Sequence, residues 1–163
     1  MIFVTIGTVF PFDRMIRAMD AYASTSEIEC IAQIGDGAYT PSHMAWHQSL
    51  PANQYTRMVE DADVIVSHAG MGSAITALQT ATPIVMLPRR QEAGEHNTDH
   101  QMATARWLEE KPGVFIAWDE GELGKRIAEA QAWSLQGAAL EAFAPRSFTN
   151  RLAQQLQIWT QET

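Results

Sequence analysis

One stretch, residues 63–101, constrains the fold more than any other part of the sequence. It opens with a β-branched apolar run, Val64–Val66, which predicts a buried strand. A turn containing Gly70 and Gly72 follows and leads through a short helical segment to a second apolar run, Pro83–Leu87. Strand, turn, helix and strand form a βαβ unit, so the stretch predicts two parallel strands joined by a right-handed crossover.

The turn at Gly70 and Gly72 carries the first functional hypothesis. The free backbone N–H groups at the start of the predicted helix, Ala74–Thr80, lie at the positive end of the helix dipole. Glycines lack the Cβ atoms that would keep a bulky anion away from these groups. We therefore expect a phosphate at this turn, in the first place the diphosphate of a nucleotide.

The rest of the chain repeats the alternation of strand and helix. Apolar runs predict further strands at Met1–Gly7, Ile28–Ile34 and Val114–Ala117, and a short one within residues 40–49. Helical spacing and capping residues predict helices that start near Asp13, Pro51, Thr98, Asp119 and Ser147. The sequence therefore predicts one α/β domain over residues 1–163, with a Rossmann-like open, mainly parallel sheet of five or six strands flanked by helices.

The last predicted helix, residues 147–161, places Leu152, Leu156 and Trp159 on one apolar stripe. Such a stripe either docks a partner or packs on its own domain, and the sequence favours neither interpretation.

The composition excludes several classes of protein. A net charge of -8 and a pI near 5.0 argue against a nucleic-acid surface, which needs a basic face. The one cysteine, Cys30, cannot form an intrachain disulfide, and we expect it to be a buried core residue in a reducing compartment. No apolar run approaches the ~18 residues of a membrane span, so we expect any membrane association to come through a partner or an amphipathic surface.

Three loops follow predicted strands and should therefore meet at one edge of a parallel sheet. They are Gly7-Thr8, residues 68–73 and residues 88–101. Arginines in the third loop can hold phosphate through a bidentate fork, while Asn97 and Gln101 can bind sugar hydroxyls or diphosphate oxygens. The convergence of the loops is the reason to expect a binding site at this edge.

Other kinds of site are disfavoured by the motifs. The chain has no GxxxxGK[ST] phosphate loop, the third glycine of a dinucleotide fingerprint is missing after Gly72, and Ser73 does not lie in G-x-S-x-G. His68, His96 and His100 could suggest a metal site. The pattern lacks cysteine, however, and the last two histidines straddle a predicted helix start, so we expect no metal.

Three motifs together resemble one enzyme family. They are His-Ala-Gly-x-Gly-Ser at 68–73, Pro-Ile-x-x-x-Pro-Arg-Arg at 83–90, and Gly-Glu-His-x-x-Asp-His-Gln at 94–101. In this combination the chain resembles the carboxyl-terminal, donor-binding half of family 28 glycosyltransferases, from Val4 to about Ala130. It is similar to the catalytic subunits of split members, such as those of dolichol-diphosphate N-acetylglucosaminyl transfer and of bacterial exopolysaccharide synthesis.

The resemblance implies a GT-B architecture cut in two, with this chain as the half that binds the nucleotide sugar. It implies an inverting transferase that moves a sugar from a UDP-sugar to a polyprenyl-diphosphate-linked acceptor in exopolysaccharide synthesis, with no cofactor besides the donor substrate. The implied partner is a membrane-anchored, acceptor-binding subunit. Through that partner the chain is expected to be cytoplasmic and peripheral at the inner face of the membrane.

The resemblance also implies which positions act on the substrate. Many family members carry a ribose-binding glutamate where this chain has Thr76, so ribose recognition is the least defined part of the expected site. His68 is the one candidate for a catalytic base in this chain; otherwise the base comes from the partner. The residues expected to bind the donor are Gly7, Thr8, His68, Gly70, Gly72, Ser73, Thr76, Arg89, Arg90, Glu95, His96, His100 and Gln101.

Two functions from other classes stay open at this point. The chain could be a non-catalytic regulatory subunit that binds a UDP-sugar, because no evident base is present. It could also be a stand-alone, epimerase-like enzyme that uses the same donor site. The identity of the sugar is open among glucose, glucuronic acid and N-acetylglucosamine.

Overall fold

The computed structural model describes residues 1–135, which contain an open sheet of six strands. The strands are β1 Ile2–Thr5, β2 Cys30–Gln33, β3 Ala45–His47, β4 Val64–His68, β5 Ile84–Leu87 and β6 Val114–Ile116. Their order across the sheet is β3-β2-β1-β4-β5-β6, and each neighbouring pair is parallel. The prediction of a Rossmann-like open parallel sheet is confirmed.

Helices cover both faces of this sheet. They are α1 Asp13–Ala23, α2 Ala52–Glu60, α3 Met71–Thr80, α4 His100–Leu108 and α5 Leu123–Leu135. Buried residues of α1 and α5 pack in one apolar cluster, and those of α2, α3 and α4 pack in the other. Each helix therefore buries one apolar stripe against the sheet, as the spacing of apolar residues along α1 predicts.

The strands feed both clusters because neighbouring side chains point to opposite faces of a sheet. In β4, for example, Val64 and Val66 contribute to the cluster under α1 and α5, whereas Ile65 contributes to the other. Every residue of β1 is buried, which explains why its sequence is a continuous apolar run. Cys30 is buried in the first cluster, as expected.

One difference from the predicted boundaries lies at the glycine turn and bears on the site. Helix α3 begins at Met71, three residues before the predicted start at Ala74. Gly70 has an extended backbone (φ -104°, ψ 139°), and its carbonyl oxygen accepts a hydrogen bond from the Ala74 N–H at 3.2 Å. Gly72 is thus inside the helix, so the residues that look like a turn are the first turn of a helix.

Two other expectations concern the carboxyl-terminal part and the membrane. The predicted helix over residues 147–161, with its apolar stripe, lies outside the described residues. Among residues 1–135, no helix is both long enough and apolar enough to cross a membrane.

The strand order places a crevice at the middle of the sheet. The chain runs outward from β1 to β3, then returns to β4 on the other side of β1 and continues outward to β6. The loops that follow β1 and β4 therefore leave neighbouring strands in opposite directions. Such a switch point is where open parallel sheets bind ligands, outside the carboxyl ends of the strands.

Candidate functional site

A cavity of about 390 Å³ opens at this switch point. Most of the residues predicted to bind the donor lie in its wall, together with Ile6, Val9, Phe10 and Tyr55. The predicted residues that line it are Gly7, Thr8, His68, Gly70, Gly72, Ser73, Arg89, His96, His100 and Gln101. The structure thus brings together the three loops that the sequence places after β1, β4 and β5.

Two of the glycines make room for one histidine. A Cβ atom on Gly70 would overlap Nε2 of His68, and a Cβ on Gly7 would lie 2.8 Å from Cε1 of the same ring. Gly7 also has a positive φ of 76°, which a side chain disfavours. Glycine at these two positions leaves the space that the imidazole ring occupies. The sequence motif predicts another role for Gly70, which is to let an anion approach the helix start.

Gly72 has the open position that an anion needs. No atom lies within 4 Å of where its Cβ would be. Helix α3 has no side-chain cap at Gly70, and the Ser73 hydroxyl is bonded to the Ser67 hydroxyl at 2.8 Å. The N–H groups of the first helical turn lack partners inside a helix, so they present partial positive charge at the cavity wall.

His68 is a neutral group in this wall at pH 7. Burial, and then the positive charges of Arg89 and His96, lower the pKa of His68 to about 4. Its Nδ1 lies 3.2 Å from the Ser67 hydroxyl. A base with so low a pKa accepts a proton weakly near neutral pH, so His68 is better suited to hydrogen bonding than to proton abstraction.

Arg89 connects the loop after β5, in which it lies, to the loop after β1. Its side chain is buried, and Nη2 donates to the carbonyl oxygens of Ile6 at 2.8 Å and Phe10 at 2.5 Å. The guanidinium also lies over the Phe12 ring, 4.9 Å from its centroid. Burial lowers the pKa of Arg89 to about 10, which leaves it protonated at pH 7. Arg89 therefore fixes the loop after β1 while adding a positive charge to the cavity.

Gln101 is oriented by the backbone of Arg89. The Arg89 N–H donates to Oε1 of Gln101 at 3.1 Å, in a buried position. Because that bond uses the amide oxygen, the side-chain NH₂ group is left to donate. It forms no hydrogen bond within residues 1–135, and Gln101 lines the cavity. The structure thus presents a fixed amide donor to a ligand.

His96 and His100 form an aromatic wall with Phe10. The two imidazole centroids are 4.4 Å apart, and Phe10 lies 4.8 Å from His96. Burial, followed by the charges of His100 and Arg89, lowers the pKa of His96. Within the described part of the chain, no group of three or more histidine, cysteine or acidic residues is arranged to hold a metal ion.

Three predicted ligands do not line the cavity. Thr76 donates its hydroxyl to the Gly72 carbonyl oxygen at 3.0 Å, and Arg90 donates to the Trp118 carbonyl oxygen at 2.7 Å. Glu95 accepts from the Arg14 guanidinium at 2.6 and 2.9 Å and from the Arg90 N–H at 2.9 Å. Arg90 and Glu95 therefore bond to other parts of the protein and stabilise the conformation of the loop. Neither side chain lines the cavity, so the geometry does not support their assignment as donor ligands.

Sequence reasoning missed Arg14 and Tyr55. Arg14 lies on α1, 81 residues before Glu95, and no local pattern marks it as a partner. Tyr55 lies on α2 and lines both the main cavity and a second one of about 380 Å³. The second cavity shares Gly7, Thr8 and Tyr55 with the first, so the two form one groove.

Comparison with known protein sequences shows similarity to glycosyltransferases. The sequence model described as "Glycosyltransferase family 28 C-terminal domain" matches residues 1–130. The human UDP-N-acetylglucosamine transferase subunit ALG13 is 29% identical over 159 residues, a match that covers 88% of this chain and 14% of that protein. The chain therefore spans a small part of its curated relative.

Solved structures show the same fold. The glycosyltransferase of kitacinnamycin matches with a TM-score of 0.58 at 19% identity, over 93% of this chain and 37% of that one. MurG of Acinetobacter baumannii matches with a TM-score of 0.56 at 15% identity, over 86% of this chain and 46% of that one. In both, the match covers less than half of the solved chain.

Proposed function

The chain belongs to the family of glycosyltransferase family 28 C-terminal domains, and from this premise we propose that it is the donor-binding, catalytic subunit of an inverting glycosyltransferase. It moves a sugar from a UDP-sugar to a polyprenyl-diphosphate-linked acceptor in exopolysaccharide synthesis. The observation that carries the proposal is the start of α3, left open at Gly72, in the same cavity wall as the fixed Gln101 amide.

The geometry supports an assignment of each part of the donor to one part of the groove. The diphosphate binds the N–H groups at the start of α3, near the Arg89 charge, where both favour an anion. The Gln101 amide donates to the same diphosphate, the sugar lies against His100, and the nucleoside passes Tyr55 into the second cavity. Because these donors are in place before reaction, they stabilise the charge that develops on the leaving diphosphate.

The acceptor hydroxyl must lose a proton, and the described residues offer little for this step. The cavity wall within residues 1–135 contains histidines but no carboxylate, and His68, with a pKa of about 4, is a weak base. The base in this proposal belongs to a membrane-anchored, acceptor-binding subunit. The human relative, which is itself named a subunit, supports a heteromeric enzyme. The chain then lies in the cytoplasm, at the inner face of the membrane.

One rival function rests on the same observation. A non-catalytic regulatory subunit that binds a UDP-sugar needs the donor groove and no base. Donor binding alone does not separate the two functions, whereas transfer does.

Titration calorimetry with UDP tests the donor site on the purified chain. Gln101→Glu keeps the oxygen that accepts from Arg89 but removes the free NH₂ donor and adds a negative charge. We expect at least a tenfold loss of affinity, since a hydrogen bond to a charged group contributes about 1.5–3 kcal/mol. Gly72→Val fills the open position and should weaken binding similarly.

The matched control is Gln131→Glu on α5, which makes the same change on the helix layer across the sheet from α3. Its affinity should equal that of the unchanged protein. Equal affinity for all four proteins would contradict the site.

A transfer assay separates the catalytic subunit from the regulatory one. The chain is combined with a candidate membrane subunit, a polyprenyl-diphosphate-linked acceptor, and UDP-glucose, UDP-glucuronic acid or UDP-N-acetylglucosamine. Transfer that needs both chains and is lost with Gln101→Glu supports the proposal. Transfer by the membrane subunit alone, merely altered in rate by this chain, favours the regulatory function.

A further inference from the structure

The second cavity contains a polar side chain, Gln33, to which the proposed diphosphate site gives no role. It is lined by Gly7, Thr8, Gln33, Ser49, Leu50, Ala52, Tyr55 and Thr56. None of these side chains carries a charge, so the cavity does not attract a second phosphate. At its base Gln33, the last residue of β2, is only 5% exposed.

The Gln33 amide has one defined orientation. The Leu50 backbone N–H donates to Oε1 of Gln33 at 3.0 Å in a buried position. A backbone N–H can only donate, so the atom facing it must be the oxygen and Nε2 must point elsewhere. Among residues 1–135, no acceptor bonds to Nε2, and Gln33 lines the cavity. Nε2 is not among the buried unpartnered atoms of residues 1–135, so it meets solvent in the cavity and is free to donate to a ligand.

The cavity wall defines what can supply that partner. Leu50, Ala52 and Tyr55 give an apolar and aromatic surface, which suits a flat ring. The group opposite Nε2 must be an acceptor, such as a ring carbonyl. Gly7, Thr8 and Tyr55 also line the cavity next to the start of α3, so one ligand can lie in both cavities.

We propose that Gln33 is a specificity-determining residue, whose side-chain NH₂ donates a hydrogen bond to a carbonyl of the donor's base. The inference rests on the proposed function and deepens it, because it states why the nucleotide carries uracil. Uracil presents two ring carbonyls as acceptors, whereas adenine accepts only through ring nitrogens, and its N1 and N7 lie beside an amino group that, like Nε2, donates. Gln33 therefore selects a carbonyl-bearing base over adenine.

The test compares UDP, ADP and inorganic pyrophosphate by calorimetry on the full 163-residue chain. Gln33→Glu keeps the oxygen that accepts from Leu50 and replaces the donor with a second oxygen. We expect the affinity for UDP to fall at least tenfold and the ratio of UDP to ADP affinity to fall at least tenfold. Affinity for pyrophosphate, which has no base, should stay within twofold.

A charge-matched control is Gln54→Glu, an exposed position on α2 beside Tyr55 that does not line the cavity. It should leave all three affinities unchanged. A wild-type measurement protects the test if Gln33→Glu folds poorly: the Gln33 side-chain ¹⁵N–¹H₂ resonances should shift on addition of UDP and stay in place on addition of pyrophosphate.

The outcomes separate the inference from the function on which it rests. If neither UDP nor pyrophosphate binds the unchanged protein, the proposed function fails. If UDP binds but Gln33→Glu leaves its affinity unchanged, or lowers UDP and pyrophosphate affinity equally, the role of Gln33 is overturned while the donor site stands. Unmoved Gln33 side-chain resonances in a UDP-saturated sample overturn it as well.

Discussion

Two loops at the same edge of the sheet are built on opposite principles. The conformation of the glycine turn, residues 68–73, depends on two positions without side chains. Gly70 leaves space for the His68 ring, and Gly72 leaves the start of α3 open. The arginine loop, residues 88–101, takes its shape from charges. There Glu95 is held by Arg14, and Arg89 holds the neighbouring loop after β1.

The difference teaches that a charged motif next to a candidate binding site can bond mainly to the protein itself. Within the arginine loop, Gln101 and His100 line the cavity, whereas Arg90 and Glu95 bond to the protein itself. A loop without regular structure needs such bonds because its backbone has no repeating partner. The glycine turn contains no ion pair: the first turn of α3 sets its backbone, and hydroxyl bonds from Ser67 reach Ser73 and the His68 ring.

The largest expected effect tests the arginine loop. Arg14→Met removes the cation that pairs with Glu95, whose side chain is only 10% exposed. A carboxylate left there without its cation, with only the Arg90 N–H still donating to it, should lower the free energy of unfolding by about 3 kcal/mol, measured by urea titration. Lys125→Met is the control, because Lys125 is 72% exposed and lies 3.9 Å from Glu129. If both changes cost the same, the loop is not held by its charges.

The next effect tests the glycine turn. Gly70→Ala adds a Cβ that overlaps the His68 ring, although the backbone angles at this position suit alanine. Overpacking of this kind costs about 1–3 kcal/mol in the free energy of unfolding. The double variant Gly70→Ala/His68→Ala removes the overlapping ring, so its loss should be smaller than the sum of the single losses. Additive losses in the urea titration would show that the glycine does not serve the histidine.

A pH titration tests His68, the half-buried histidine of the glycine turn. Since the pKa of His68 falls to about 4 in the folded protein, the unfolded chain binds a proton more readily between about pH 4 and 6.5. Stability should therefore fall as the pH drops through this window, by about 2 kcal/mol from His68 between pH 7 and 5. His68→Asn should lose this part of the acid sensitivity, and His47→Asn, at an exposed residue of β3, should keep it.

The smallest effect is expected for Gly72→Ala, which should raise the stability of the protein and lower its affinity for UDP. Gly72→Ala places a methyl group where no atom lies within 4 Å, inside helix α3. Alanine in a helix is favoured over glycine by about 1 kcal/mol, so the unfolding free energy should rise slightly. The affinity for UDP should fall, because the methyl group narrows the approach to the helix start. A variant that is more stable and binds UDP equally well would remove Gly72 from the donor site.

Much of the fold could be read from local patterns. The apolar runs at Val64–Val66 and Pro83–Leu87 are strands because buried parallel strands need apolar residues on both faces. The sequence predicts the start of α3 three residues too late, because two glycines within three residues, Gly70-Met71-Gly72, resemble a turn. The short strand β3 was the hardest to predict, because all three of its residues are exposed at the sheet edge.

The sequence by itself determined the order of strands and helices, and therefore the edge at which the loops meet, because burial periodicity is a local property of the chain. Only the tertiary structure decided which side chains of those loops face the cavity. Arg14 reaches Glu95 from a helix 81 residues earlier, and the Leu50 N–H holds the Gln33 amide oxygen from a segment 17 residues later. Such pairings depend on distances across the folded chain, which no local spacing encodes.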